Sequence, residues 1–559
     1  MAQNKLYEFS YPVLNSTKQK SALLKFTNKQ ELKKTVFETI TEFQNQGYLL
    51  AYADTIENSS EKIKIELFSG TQFKWLRLKQ GNLNPTLASK IRFNEKAYSN
   101  QQVNILKIGS LFESILVYYE NHGYPFVSLK LDSLNYTDST FDAQLNVVPG
   151  TFYKLDSVIL YGNANVKSKY LERYLNVFTD KPFQENQIAK ISDRLRQLPF
   201  VTQKKSPEVR FTKNSSKLLL FLDKKNASQF DGIVGILPDA TTGKAIITGD
   251  VKLKIINGLL HNGETIDIEW RRLQSQTQDF SGKIIYPFLF GSPFGADYAI
   301  KLYKRDTTFI DIINSAGAHY YFNGLNYIKV LTRSRQCNLI STYGLENITV
   351  LPSYADVSTL QNGIGLHLEN LDYRFNPRKG FNLEMNALFG NKRIRKNPKI
   401  NDLVYASLPL NSIQYQYEFE FNGFIPIKNN NILRLGLKSA SIFGNGPIFR
   451  NELNRIGGLK TLRGFDEESI FTSLYFIPTL EYRFLFSQNS HILVFTEGAF
   501  YENNSYQFYL NDTPLSFGAG INFETKAGIL SINYAIGNQL NNGFDARNGK
   551  IHIGLIALF

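Results

Sequence analysis

From about Gln229 to its end the chain alternates apolar and polar residues with a period of two, and this alternation limits the possible folds more than any other feature. Ile266, Ile268 and Trp270 alternate with Asp267, Glu269 and Arg271, and Tyr415, Tyr417, Phe419 and Phe421 alternate with Gln414, Gln416, Glu418 and Glu420. Period two belongs to a strand whose faces meet different surroundings. No run of eighteen apolar residues is present, which excludes a helical membrane span. It does not exclude a transmembrane β-barrel, because alternate residues facing a polar lumen dilute the hydropathy signal. A mean hydropathy of −0.25 with 43% hydrophobic residues is therefore compatible with a barrel as well as with a soluble protein. A half-buried soluble sheet also alternates, so a single segment decides little.

The number of segments decides more. Candidate strands begin near Phe230, Lys244, Glu264, Gln278, Phe294, Thr308, Tyr327 and Gly363, then near Phe381, Leu403, Asn431, Leu474, His491, Leu515, Gly528 and Lys550. Sixteen is even, which brings both ends of a barrel to the same face. Short turns such as 376–380, 427–430 and 525–528 then fall on that face, and the longer connections 336–362 and 443–471 on the other. Exported barrels show this asymmetry. The aromatic content, 43 Phe and 31 Tyr, suits interfacial girdles.

The first part of the chain mixes helix and strand, and it repeats. Gln46-Gly47-Tyr48, His122-Gly123-Tyr124 and Leu198-Pro199-Phe200 each close a helical stretch, 76 residues apart. Ser69-Gly70-Thr71-Gln72-Phe73 and Pro149-Gly150-Thr151-Phe152-Tyr153 mark where one unit ends and the next begins. The expected organisation is α+β modules of β-α-α-β-β order over 1–70, 71–150 and 151–227, then an all-β transmembrane antiparallel barrel over 228–559.

Within the barrel half stands Arg455-Ile456-Gly457-Gly458-Leu459-Lys460-Thr461-Leu462-Arg463-Gly464-Phe465. Together with Tyr373 to Gly380, Phe517-Gly518-Ala519-Gly520 and the terminal Phe559, it resembles the BamA/TamA superfamily of outer-membrane barrels, whose periplasmic modules are POTRA domains. The resemblance covers nearly the whole chain, and its barrel motifs are the more specific. It implies that an external loop folds back into the lumen, with Gly457 and Gly458 at the reversal, Arg463 as anchor, Gly464 at a close approach and Phe465 as packing residue. A buried arginine needs a carboxylate partner. Glu497 is the best placed, with Glu481 and Glu524 as alternatives. The opposing reading leaves Arg463 as a solvated loop residue.

Catalytic motifs are missing. The sequence holds no G-x-S-x-G, P-loop, H-E-x-x-H or Cys-x-x-Cys, and its six His are isolated from one another, so no enzyme activity, catalytic residue, cofactor or metal is expected. His552 reads as one polar member of the last strand. The single Cys337 cannot form a disulfide framework. A net charge of +14 without an RNA- or DNA-binding motif gives no reason to expect nucleic acid.

Closing a barrel pairs its first strand with its last. Phe230 to Pro238 carries Gly232 and Gly235, which weaken a ladder, so the seam against Lys550 to Phe559 is a candidate lateral opening. Ordinary strand glycine is the equally weighted alternative. The basic stretch Lys392, Arg393, Arg395, Lys396 and Lys399 reads as a solvated hairpin, with lipopolysaccharide phosphates as a rarer partner. No apolar signal follows Met1, so the outer-membrane reading expects an export signal to have been removed.

The resemblance implies a bacterial outer-membrane protein, with its modules in the periplasm, that inserts or exports other polypeptides. The implied partners are outer-membrane lipid and lipopolysaccharide, unfolded or secreted client polypeptides, and periplasmic lipoproteins or chaperones. The alternatives are a two-partner-type secretion pore and a passive uptake porin with periplasmic binding domains.

Overall fold

The structure, a computed structural model, describes residues 6–12, 21–59, 62–73, 75–102, 104–137, 140–213, 215–238, 245–274, 277–346, 348–428, 430–525, 528–540, 542–545, 547 and 549–558. It divides into two compact units.

The first unit holds two small α/β modules. In the first, strands Leu6–Pro12, Ser21–Phe26, Tyr52–Asn58 and Lys62–Phe68 form one sheet beside helix α1 (Lys29–Asn45). Phe9, Leu32, Phe43, Ala51 and Leu67 make its core. Strand Ser21–Phe26 stands where β-α-α-β-β order expects a helix, because it pairs antiparallel with Leu6–Pro12 and extends the sheet. The second module has strands Trp75–Lys79, Ser99–Gln102, Ser128–Tyr136 and Thr140–Val148 with helices α2 (Pro85–Lys90) and α3 (Ile105–Glu120). Asn28, Asn84 and Asn104 cap α1, α2 and α3 by accepting backbone N–H bonds, which satisfies donors that a helix start leaves open. Gly47 and Gly123 show the physical basis of the repeat. Both have φ near +90°, and their carbonyls accept from Phe73 and Tyr153, the residues that lead into the following module.

The second unit contains most of a third module and the barrel. The module has strands Leu155–Tyr161, Val201–Phe211 and Ser216–Lys224 with helices α4 (Ser168–Leu175), α5 (Glu185–Ala189) and α6 (Ile191–Gln197).

Sixteen wall strands then close into a barrel among the described residues. The first eight are β1 (Gln229–Pro238), β2 (Ala245–Ile256), β3 (Thr265–Gln274), β4 (Thr277–Tyr286), β5 (Phe294–Arg305), β6 (Phe309–Asn323), β7 (Asn326–Leu339) and β8 (Val357–Leu371). The second eight are β9 (Gly380–Ile394), β10 (Asn411–Lys428), β11 (Asn431–Gly444), β12 (Leu474–Leu485), β13 (His491–Gly498), β14 (Leu515–Thr525), β15 (Gly528–Asn538) and β16 (Lys550–Leu558). A hairpin of Phe500–Ser505 and Phe508–Asp512 extends the wall between β13 and β14. The alternation separates the two faces as a barrel requires: Leu480, Tyr482 and Phe484 are exposed outside, while Thr479 and Glu481 are buried inside.

Two strand starts differ from the sequence reading. β8 begins at Val357 rather than near Gly363, and β10 at Asn411 rather than near Leu403. Residues Asp402–Tyr405 form a 3-10 turn whose Val404 and Tyr405 pack with Ile394, Ile400 and Phe449 in an apolar cap, so their apolar character marks a core and not a wall strand.

Third-module residues meet the turns at the end of the barrel where β1 starts. The ring of Tyr170 packs on Phe288, and Phe288 on Tyr321. Lys167 N–H donates to the His261 carbonyl at 2.9 Å, and Arg194 Nη2 to Asn323 at 2.7 Å. The turns after β2, β4 and β6 therefore share one face with this module.

Candidate functional site

The connection between β11 and β12 enters the lumen as a hairpin, with Asn454–Ile456 paired to Ile470–Thr472. Its turn needs conformations that only glycine adopts easily: Gly457 has φ +113° and Gly458 φ +89°, and a Cβ on Gly457 would lie 2.3 Å from the Asp466 carbonyl oxygen. The tip is packed like a protein interior. Ile456 and Leu462 are wholly buried, and with Phe465 and Ile470 they form a cluster with Ile477, Ala499 and Tyr501. Burying such side chains contributes about 1.5–3 kcal/mol each.

Arg463 sits beside that cluster, 7% exposed. Its Nε donates to Oε1 of Glu497 at 2.8 Å, its backbone N–H to Oε2 of Glu497 at 2.8 Å, and Nη1 to Oε2 of Glu481 at 2.9 Å. Nη2 lies 2.6 Å from Oε1 of Glu497, but its angle is too bent for a hydrogen bond and its contribution is electrostatic. The guanidinium carbon stands 3.4 Å from the Phe495 ring centroid. Two carboxylates compensate the charge, as burial demands. Of the three candidates named from sequence, Glu497 and Glu481 meet Arg463. Glu524 does not, because it lies near the end of β14, where Asn489 donates to it at 3.1 Å.

Gly464 (φ +90°) passes so close to the wall that a Cβ would lie 3.0 Å from the backbone of Ile536 and Gly537 on β15. A Cβ on Gly537 would in turn lie 2.6 Å from the Phe465 ring. The two glycines make room for the docked tip.

Sequence reading missed most of the surrounding network. Arg483 Nε and Arg434 Nη1 also donate to Glu481, at 2.7 and 3.2 Å. At the root of the loop, Arg335 holds Asp311 through two hydrogen bonds and donates to the carbonyls of Asn451 and Glu452, while Lys392 Nζ reaches Glu452 at 2.5 Å. The available signal was position: Arg335, Asp311, Lys392, Arg434 and Arg483 fall on the polar half of their strands' alternation, whereas Asn451 and Glu452 lie in the loop. The basic stretch is only partly the solvated hairpin expected: Arg393, Lys396 and Lys399 are exposed, while Lys392 and Arg395 are not. Lys392 is 2% exposed and turned inward, and Arg395 donates to the Cys337 carbonyl at 3.1 Å. Among the described residues there is no cluster of side chains fit to hold a metal ion.

The seam is short. β1 and β16 share two residue pairs, Gln229 with Leu558 and Phe230 with Ala557, whereas β1 and β2 share ten, from Gln229 with Lys254 to Pro238 with Ala245. Gly232 and Gly235 lie beyond the seam pairs yet stay in register with Val251 and Thr248 of β2. The ladder to β2 therefore runs through both glycines without a break. Phe559 and the side chain of His552 lie outside the described residues.

Comparison with known proteins also finds a barrel family. The Omp85 superfamily domain matches residues 274–555, half of the chain. The chain belongs to the Omp85 superfamily. With this membership and its sixteen-strand wall, it is an outer-membrane β-barrel protein. This Omp85 protein is similar in fold to CdiB from Escherichia coli, at 12% identity and a TM-score of 0.55, over 95% of this chain and 98% of that one. CdiB from Acinetobacter baumannii is also 12% identical, with a TM-score of 0.51 over 95% and 97%. BamA from Haemophilus ducreyi lacking POTRA domains 1-3 is 13% identical over 87% of this chain and 100% of that one, with a TM-score of 0.44. No curated protein matches the sequence.

Proposed function

We propose that this Omp85 protein assembles or translocates other polypeptides at the outer membrane without enzymatic chemistry, in the manner of BamA. The carrying observation is the seam. A wall bonded along its whole height has no lateral exit, whereas two residue pairs between β1 and β16 leave most of one junction without backbone bonds among the described residues. Unpaired strand edges bind further strands by backbone hydrogen bonding, with no need for special side chains. A client strand is the matching ligand.

The modules stand in the periplasm in this reading and offer sheet edges of their own, such as Tyr52–Asn58 and Ser128–Tyr136. A passive porin fits less well, because the β11–β12 loop crosses the lumen and is bonded to its walls.

Depletion of the protein in its host tests the proposal. Loss of folded barrels, or periplasmic retention of a secreted protein, is the expected outcome, and which of the two occurs separates insertase from secretion pore. A depleted cell with normal envelope proteins and only impaired solute uptake would return the barrel to the porin class.

A further inference from the structure

The loop that docks through Arg463 also reaches beyond its own side of the barrel. In ring order its contacts fall on β12 (Glu481), β13 (Glu497), β15 (Gly537) and β16 (Lys550), then past the seam on β3 (Glu269 and Arg271). Asp466 Oδ1 lies 2.7 Å from Lys550 Nζ. The next two residues turn to the other side: Glu467 is 3.3 Å and Glu468 3.0 Å from Arg271, and Lys460 pairs with Glu269. Arg455 holds Glu468 from behind at 3.3 Å.

The height of these contacts matters. The two seam pairs lie at the start of β1 and the end of β16, whereas Lys550 opens β16 at the opposite end. Arg271 stands in the half of β3 remote from the module face. The loop therefore joins the two sides of the seam from within, at the level where backbone pairing is missing.

We infer that Asp466, Glu467 and Glu468 are positioning residues that hold the seam shut, substituting side-chain ion pairs for the absent strand ladder between β1 and β16. The strap is built to release on one side. Asp466 is 73% exposed, so its pair with Lys550 is screened and weak, while Arg271 and Glu468 are mostly buried and stay together. Opening then begins by parting Lys550 from Asp466 and frees the unpaired end of β16.

This inference rests on the seam being the route in the proposed function, so the test must report on the seam without a client. Nitroxide labels on Ile551→Cys and Ile268→Cys, both lipid-facing and on opposite sides of the seam, are placed in the full-length protein in phospholipid vesicles; Cys337 is buried and does not label. Asp466→Lys, and the milder Asp466→Asn and Lys550→Gln, should move the distance distribution outward by about one strand spacing, roughly 4.8 Å. The charge swap Asp466→Lys with Lys550→Asp should restore the original distribution. Variants are compared after their folded migration on unheated gels is verified. Distances that ignore all three single substitutions, or a swap that restores nothing, would overturn the strap. A seam that widens as expected while client insertion is unchanged leaves the strap standing and removes the lateral route from the proposed function.

Discussion

Lys392 on β9 donates to Glu452 at the root of the β11–β12 loop in a place where neither side chain is more than 2% exposed. Gln414 and the backbone N–H of Phe449 donate to the same carboxylate at 3.0 and 2.8 Å. Removing one member of such a pair leaves a buried charge, at a cost of about 3–5 kcal/mol. Lys392→Met should therefore destabilise the barrel by about that much. Lys392→Met with Glu452→Gln should recover part of it, since the amide retains one acceptor oxygen. Urea titration followed by gel migration of unheated samples measures both. Equal destabilisation by the single and double variants would contradict the pairing.

Glu481 serves three guanidinium groups, those of Arg434, Arg463 and Arg483, while Glu497 serves Arg463 and accepts its backbone N–H. Glu481→Gln should accordingly loosen the loop more than Glu497→Gln, because it takes the carboxylate charge from three guanidinium groups and the other variant takes it from one. Trypsin cleavage after Lys460 or Arg463 is the readout, with the wild type protected and Glu481→Gln cut fastest. The reverse order would mean that the Glu497 bond to the backbone dominates.

The legibility of this site follows from what period-two alternation encodes. Alternation states which face a residue takes, so Glu481 and Glu497 were found as lumen carboxylates near the right height. It does not state which distant strand a loop will meet. The link from Asp466 to Lys550 spans 84 positions and that from Glu468 to Arg271 spans 197, and no local pattern carries either. The misplaced start of β10 has a similar cause: Val404 and Tyr405 are apolar because they cap the wall. The first module's strand Ser21–Phe26 was hidden because six residues are too few to show a period against a helix alternative.

Phe465 lies against Gly537, so the size of residue 537 limits the ring. Gly537→Ala should displace the loop tip and raise protease sensitivity, at a cost of about 1–3 kcal/mol for overpacking. Adding Phe465→Leu should relieve much of it, because the smaller side chain vacates the space that the new methyl takes. A double variant as sensitive as Gly537→Ala alone would place the strain elsewhere. Gly464→Ala has no such remedy, since its φ of +90° is strained for any side chain.

Acid should release the strap late. Burial pushes the Glu468 carboxyl up, but Arg455, Lys301 and Arg271 around it outweigh burial and hold it below the usual carboxylate range. A carboxyl whose folded value is depressed contributes stability at and above the unfolded value, and loses it as the pH falls through the folded one. Asp279 and Glu467, which share Arg271, are the other acids at this point. A spin label at Leu459→Cys should thus keep its mobility from pH 8 to about 5 and become mobile only below about 4.3, the ordinary glutamate value. Glu468→Gln should make it mobile throughout. Mobilisation of the parent label near pH 6 would point to a histidine instead.

Two stacked tyrosines at the foot of the barrel should respond differently to the same substitution. Tyr170 and Tyr174 are parallel rings with centroids 5.9 Å apart, both 1% exposed. The Tyr174 hydroxyl donates to the Arg194 carbonyl at 3.0 Å, and burial pushes its ionisation up to about 12. The Tyr170 hydroxyl is buried without a hydrogen-bond partner among the described residues. Removing a hydroxyl that has a partner forfeits about 0.5–1.5 kcal/mol, whereas removing an unsatisfied one relieves a desolvation penalty. Tyr174→Phe should lower the unfolding free energy by about that amount, and Tyr170→Phe should leave it unchanged or raise it. Gly263→Ala should cost more than either. A Cβ there would lie 2.1 Å from the Tyr170 ring, and φ is +71°, so the β2–β3 turn and α4 cannot both keep their places. Denaturant titration of the three variants checks the order, and a Tyr170→Phe loss equal to that of Tyr174→Phe would mean that the Tyr170 hydroxyl is paired after all.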